Sequence, residues 1–353
     1  MRGGPLVHGA LLVAALALAY QTWTRDRSAV PALRTVEVWK GASSDLKSLA
    51  LDGELRDVVV ERREEGGEKF LWGTVTRSSP PAPKPAQGPD AGPHAGMSSV
   101  DEPPPKTTVR QFAVGDDGTE LFKKFTPLRA LRDLGVLVEQ QKADFGLAEA
   151  KDKLTVHYAS GPRELIIGGS VYGGGDRYVL EPESKRVYVL PGDAIRSLEN
   201  ADSSLRERKL HGFAATDPGK VVIKTSAKER ALVRTGGEPS AVPGVPARGS
   251  WADAATPDKA DQTLANFMDR VDQMTPIEYS PEVTPEGLTP VVRLDYQSKA
   301  GAALGWLELF KKPGEDAGKF DYYLRSERTR VMAKVFRGVA ERVDQDLAQV
   351  VSP

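Results

Sequence analysis

The feature that most restricts the fold of this 353-residue chain is an internal repeat of domain size. One register places Tyr178 on Tyr322 and Val187 on Val331, and with gaps it extends upstream through most of the chain. A repeating unit of this length is much longer than the units of solenoid proteins. The sequence therefore predicts two similar domains rather than one continuous core.

Both copies show the same order of local patterns: a hairpin, a loop, an amphipathic helix, a series of strands and a closing helix. Residues 57–72 align with residues 220–234, and residues 153–158 align with residues 290–296. Apolar side chains recur at helical spacing in residues 118–135, which predicts a helix that Pro127 kinks. Apolar and polar residues alternate in the strand regions. These patterns predict an α+β fold, with one antiparallel sheet and one layer of helices in each copy.

Composition identifies one polar, Pro- and Gly-rich stretch inside each of the two copies. Residues 78–106 and 235–250 are rich in Pro, Gly, Ala and Ser and contain few large apolar side chains, which predicts a disordered insert and a mobile loop. We expect a first α+β repeat over residues 29–213, with the insert at 78–106. A second repeat is expected over residues 214–353, with the loop at 235–250.

The first 28 residues are predicted to form a transmembrane helix and its flank. An apolar stretch ends in two aromatic residues and is followed by charges, and it just reaches the length that a membrane-spanning helix needs. The alternative is a cleaved signal peptide, with a small-residue site at residues 17–19. Charge is nearly equal on both sides, so it does not decide the orientation. The predicted anchor residues are Leu11, Leu12, Val13, Leu16, Leu18, Tyr20 and Trp23.

Several classes of function are disfavoured by residue content. Lys and Arg number 48 against 49 Asp and Glu, so no basic field would attract nucleic acid. There is no cysteine, and the four histidines are not at zinc-binding spacing. The glycine-rich residues 168–176 lack the spacing of phosphate-binding loops and are expected to form a hairpin turn. We therefore predict no catalytic residue, no metal site, no cofactor and no enzyme activity.

Residues 145–190 carry a series of short phrases that resemble a known family. They are a Phe-Gly-Leu phrase, a strand ending in Ile-Gly-Gly, a glycine turn, and the phrases Arg-Tyr-Val and Val-Tyr-Val-Leu. This stretch resembles the bacterial domain-of-unknown-function family 4340. The signature positions, expected to be structural, are Phe145, Gly146, Leu147, Gly168, Tyr178 and Val187, with Tyr322 and Val331 in the second copy.

The resemblance implies a cellular setting. Members of the family are similar to proteins that accompany ABC-type transporters, including those of gliding motility and type IV pilus assembly. It implies a single-pass protein of the bacterial inner membrane with most of its chain in the periplasm. The implied partner is an ABC-transporter permease or a pilus or envelope assembly protein, which this protein would assist as a scaffold.

Two other functions remain open. The first is a periplasmic binding module for an envelope polymer or a small ligand, which would bind in a cleft between the copies near Trp72, Trp251 or Trp306. The second is a hydrolase, which a pocket of converging carboxylates would indicate.

Overall fold

The computed structural model describes residues 35–79, 106–236, 249–316 and 318–352, which are mostly antiparallel β-sheet with few helices. The first lobe contains β1 (Val36–Trp39), β2 (Leu46–Asp52), β3 (Arg56–Glu65), β4 (Glu68–Ser79), β5 (Lys106–Ala113), β6 (Leu128–Ala130), β7 (Arg132–Val136), β8 (Lys153–Tyr158), β9 (Gly161–Ser170), β10 (Arg177–Glu181) and β11 (Arg186–Leu190). Its helices are α1 (Asp116–Lys124), α2 (Gly192–Glu199) and α3 (Ala201–Ser204).

The second lobe follows after a connecting segment. Its strands are β12 (Pro218–Lys224), β13 (Glu229–Thr235), β14 (Ser250–Asp253), β15 (Pro276–Tyr279), β16 (Thr289–Ser298), β17 (Ala303–Pro313), β18 (Phe320–Ser326) and β19 (Ala333–Val335). Its helices are α4 (Gln262–Asp272) and α5 (Arg337–Val350), which pack on each other and on the sheet. The two large sheets lie on either side of the predicted boundary between residues 213 and 214.

The strand order repeats between the lobes. The first sheet has the order β5-β4-β3-β2-β8-β9-β10-β11-β7, and the second has the order β14-β13-β12-β16-β17-β18-β19-β15. Without β5 the two orders are the same, so that β2 corresponds to β12, β7 to β15 and β8 to β16. The short strands β1 and β6 form a separate pair beside the first sheet. The internal repeat is therefore visible in the topology as well as in the sequence.

The topology corrects the predicted alignment in two places. Residues 57–72 form the hairpin β3–β4, whereas the hairpin equivalent to β12–β13 is β2–β3, because neighbouring alternating strands look alike in sequence. Leu180 pairs with Val187, while Leu324 pairs with Ala333. Ala333 and not Val331 is therefore the equivalent of Val187, because the second connection contains eight residues, 325–332, against six, 181–186, in the first.

The helix predicted over residues 118–135 is only partly present. Helix α1 ends at Lys124, the peptide bond before Pro127 is cis, and Leu128 begins strand β6. Proline has no N–H for the helical ladder and crowds the preceding turn, so the helix stops rather than bends. Helix α4 is the amphipathic helix expected in the second copy, and Leu264 and Val271 are among its buried residues.

Each lobe has its own hydrophobic core between sheet and helices, and the first core also receives Tyr279 and Ala333 from the second lobe. Of the predicted insert 78–106, residues 78 and 79 belong to β4 and residue 106 to β5, which pair with each other. Residues 80–105 and 237–248 lie outside the described residues.

The predicted anchor, with Leu11, Leu12, Val13, Leu16, Leu18, Tyr20 and Trp23, also lies outside the residues that the structure describes. Within the described ranges, no helix is both long enough and apolar enough to span a membrane.

Candidate functional site

The Phe-Gly-Leu signature packs directly on strand β9. The N–H of Gly169 donates to the carbonyl of Phe145 at 2.8 Å, and the ring centroids of Phe145 and Tyr178 are 4.9 Å apart. Gly146 has a φ of 64°, and a Cβ on it would lie 2.6 Å from the nitrogen of Gly169. A Cβ on Gly168 would lie 2.5 Å from the carbonyl oxygen of Phe145. The two glycines are thus required for this close approach of two backbones.

The other signature positions also have structural roles. Leu147 and Val187 are buried in the first lobe. Tyr322 is buried in the second lobe, and its hydroxyl donates to Asp344 on α5 at 2.9 Å. Val331 lies in the long connection before β19 and packs against the core of the first lobe. The signature therefore describes how strands, helix and lobes hold together.

A buried carboxylate joins the two lobes. Glu207 accepts a hydrogen bond from Nε of Arg328 at 2.6 Å, and it also accepts from the backbone N–H groups of Arg208 at 2.9 Å and Lys209 at 2.8 Å. Its backbone carbonyl accepts from the hydroxyl of Tyr279 at 3.1 Å. These contacts satisfy a carboxylate that would otherwise be costly to bury.

Further contacts extend this junction to the surface. Asp116 accepts from Lys209 at 2.7 Å and from Arg328 at 2.6 Å. The hydrogen bond from Lys209, followed by that from Arg328, lowers the pKa of Asp116. The guanidinium of Arg330 lies 4.2 Å from the ring centroid of Phe70 in the first lobe. The space that remains here is a cleft of about 250 Å³ with Arg328 and Glu207 among its lining residues.

Two of the three tryptophans proposed for a cleft between the copies do not face one. Trp72 is buried and packs edge-to-face on Tyr279, with ring centroids 6.5 Å apart. Trp306 lies on the second sheet, where the guanidinium carbons of Arg293 and Arg325 are 5.3 Å and 5.6 Å from its ring centroid. These two side chains serve packing and cation–π contacts.

The third, Trp251, lines a pocket inside the second lobe, which we call the second-lobe pocket; its walls include Trp251, His211, Phe213 and Tyr296. The pocket has a volume of about 230 Å³. The ring of His211 stacks on Phe213 and contacts Tyr296, with centroids 4.5 Å apart in both cases. The guanidinium of Arg234 lies 4.8 Å from the ring centroid of Trp251. The pocket thus combines aromatic walls with polar groups.

The polar atoms in the wall of this pocket that are buried without a hydrogen-bond partner among the described residues include Oη of Tyr296 and Nε2 of His211. The other ring nitrogen of His211, Nδ1, lies 3.0 Å from Oε1 of Glu327. Burial, and then the nearby charges of Asp272 and Glu327, raise the pKa of Tyr296 well above its usual value.

An apolar stripe lies on the edge strand β7. Leu134 and Val136 in β7 are 39% and 58% exposed, and Val138, two residues after the strand ends, is 50% exposed. Strand β7 pairs with β11 on its inner side and is the last strand of its sheet among the described residues. This edge strand was not predicted from the sequence, because residues 118–135 were expected to form a helix.

Comparisons with known proteins give one match, to a family model. The described residues contain no group of three or more His, Cys, Asp or Glu that could hold a metal ion. A search of curated proteins and a search of solved structures each found no match. A family model described as "Domain of unknown function (DUF4340)" matches residues 120–280, which run from α1 to the end of β15. Residues 120–280 of the chain are therefore similar to the DUF4340 family, as the signature stretch predicted.

Proposed function

We propose that this protein is a non-enzymatic accessory protein that is anchored in the bacterial inner membrane by its first 28 residues and holds its two lobes in the periplasm. Its partner is an ABC-type transporter permease or an assembly protein of the type IV pilus, the gliding apparatus or the envelope. The proposal combines the apolar N-terminal sequence with the family resemblance. The feature of the fold that supports partner binding is the apolar stripe on β7.

Soluble proteins rarely leave a row of large apolar side chains on a sheet edge, because such an edge invites association. The equivalent strand of the second lobe, β15, is not left open in this way. The guanidinium of Arg206 donates to the carbonyl of Ile277 at 2.6 Å, and Tyr279 packs in the first core. One lobe of this chain thus covers the β15 edge, and the corresponding β7 edge offers a comparable surface to a partner.

The stripe also lies close to the predicted anchor along the chain. Strand β1 pairs with β6, and Val36 lies opposite Ala130, two residues before β7 begins. Thirteen peptide units connect Trp23 to Val36, which span roughly 45 Å at full extension. An anchor ending at Trp23 would therefore keep the β7 edge within reach of a membrane partner.

Substituting the stripe tests the docking step. Val136→Asp in the full chain should abolish co-purification of a membrane partner from detergent-solubilised membranes, because a carboxylate would be buried in an apolar contact. Leu55→Asp is the matched control, because Leu55 is 54% exposed but lies away from the β7 edge. Equal recovery of the partner by both variants would contradict the role of this edge.

Removal of residues 1–28 tests the anchoring step. We expect the intact chain to fractionate with the inner membrane and to be cleaved by protease in spheroplasts, and we expect the shortened chain to be released. Recovery of the intact chain in the cytosol would refute the proposal.

A second candidate function is a periplasmic binding module for an envelope polymer or a small ligand. The second-lobe pocket supports it, because the pocket joins aromatic walls to buried polar atoms of Tyr296 and His211 that have no hydrogen-bond partner among the described residues.

A further inference from the structure

The internal repeat provides a direct comparison for the second-lobe pocket. Tyr158 in β8 and Tyr296 in β16 occupy equivalent positions, and they are only 4% and 2% exposed. In the first lobe the hydroxyl of Tyr158 donates to the carbonyl of Phe125, the residue that ends α1, at 2.6 Å. In the second lobe the hydroxyl of Tyr296 has no partner among the described residues. The hydroxyl of the equivalent tyrosine thus has a hydrogen-bond partner in the first copy and none among the described residues in the second.

The difference arises at the end of the helix that packs above the tyrosine. In the second lobe Asp272, Met274 and Thr275, at and after the end of α4, line the pocket together with Tyr296. The end of α4 thus contributes to the wall of a cavity, and no hydrogen bond from Tyr296 to this helix end is present among the described residues. A buried polar group without a partner is unfavourable, and an incoming group that pairs with it removes this cost.

The two polar atoms define the kind of group that fits. A carboxylate only accepts hydrogen bonds, so the contact with Glu327 assigns the proton of neutral His211 to Nδ1 and leaves Nε2 as an acceptor. The hydroxyl of Tyr296 can donate. One ligand hydroxyl can therefore donate to His211 and accept from Tyr296, which satisfies both buried atoms at once.

The remaining walls define the body of the ligand. Trp251 and Phe213 present aromatic surface, while the flexible side chains of Met268 and Met274 can adapt to an irregular ring. The volume of about 230 Å³ is smaller than the roughly 300 Å³ at which pockets for drug-sized ligands begin. The pocket therefore suits a single ring.

We infer that the second-lobe pocket binds one hydroxyl-bearing ring, namely a single sugar unit, with its hydroxyl between Tyr296 and His211 and its apolar face on Trp251. This sugar is either a free monosaccharide or one unit of a glycan. The inference does not depend on the proposed membrane partner, since binding by the purified chain requires no second protein.

The test uses the full chain in detergent micelles, titrated with glucose, galactose and N-acetylglucosamine, and with the β-1,4-linked tetramer of N-acetylglucosamine. We expect saturable binding by calorimetry and a change in tryptophan fluorescence. Tyr296→Phe should weaken binding at least tenfold, because it keeps the ring and removes the hydroxyl. Tyr158→Phe is the matched control and should bind as the unmodified chain does.

The tetramer separates the two sources of the sugar. Tetramer binding at least tenfold tighter than monomer binding would identify a glycan, and equal binding would identify a free monosaccharide. Absence of saturable binding by every probe, or equal binding by Tyr296→Phe, would overturn the inference. A crystal structure grown with the sugar that contains only water in the pocket would also overturn it. A chain that binds sugar but never recovers a membrane partner would retain this inference and lose the proposed function.

Discussion

Removing the hydroxyl group from each of the two equivalent tyrosines should change stability in opposite directions. Tyr158→Phe breaks the 2.6 Å hydrogen bond to the carbonyl of Phe125, whose side chain is fully buried. Loss of a buried hydrogen bond that leaves one partner unsatisfied costs about 1–2 kcal/mol. Tyr296→Phe removes a buried hydroxyl that has no hydrogen-bond partner in the part of the chain that the structure describes. It should be neutral or should stabilise the fold by about 1 kcal/mol, because a desolvation penalty is removed.

Calorimetric melting of the full chain at pH 7 measures this difference. Burial raises the pKa of Tyr158 to about 12 and raises that of Tyr296 as well, so both phenols are neutral and no charge is altered. For a domain of this size, 1 kcal/mol corresponds to about 2–4 °C in the melting midpoint. We expect the midpoint of Tyr296→Phe to lie roughly 2–12 °C above that of Tyr158→Phe, because the two variants differ by about 1–3 kcal/mol.

Equal destabilisation by both substitutions would refute this reasoning. It would mean that the hydroxyl of Tyr296 already has a partner as good as the carbonyl of Phe125. Far-UV circular dichroism of each variant is the control, because both must keep the same sheet content for the comparison to hold.

Two further substitutions test the junction and the family signature. Arg328→Met should lower the free energy of unfolding by about 3 kcal/mol, because it leaves the carboxylate of Glu207 buried without its cation. The control Arg63→Met removes an exposed ion pair and should lower it by less than about 1 kcal/mol. Urea denaturation measures both values. Gly146→Ala should lower stability by at least about 2 kcal/mol, because residue 146 has a φ of 64° and an added Cβ would clash with a facing backbone. The control Gly66→Ala should lower stability by only about 1 kcal/mol, because residue 66 has a φ of 59° but faces open space. Similar losses for the two glycine variants would show that the close backbone approach is unimportant.

The parts of the fold that could be predicted from sequence are those set by local periodicity. Alternation in residues 153–158 and 290–296 predicted β8 and β16, and the apolar face of α4 follows its helical spacing. The end of α1 was missed because Leu121, Phe125 and Leu128 still match a helical spacing. Leu128 instead begins β6, which pairs with β1 from a distant part of the chain. Such pairing is not encoded in the local pattern.

The second-lobe pocket could not have been predicted for a related reason. Tyr158 and Tyr296 are the same residue in similar strand patterns, and their difference lies in how the end of α1 or α4 sits above the sheet. The position of the helix end above the sheet depends on how complete helices and strands pack together.

The six-residue connection between β18 and β19 has a mechanical consequence. It carries Arg328, Arg330 and Val331 onto the first lobe, so the lobes are held together by non-covalent contacts in addition to the covalent link between them. A force that separates the lobes must break charge pairs and an apolar contact together, and cannot simply straighten a linker. We therefore expect this junction to oppose bending of one lobe against the other.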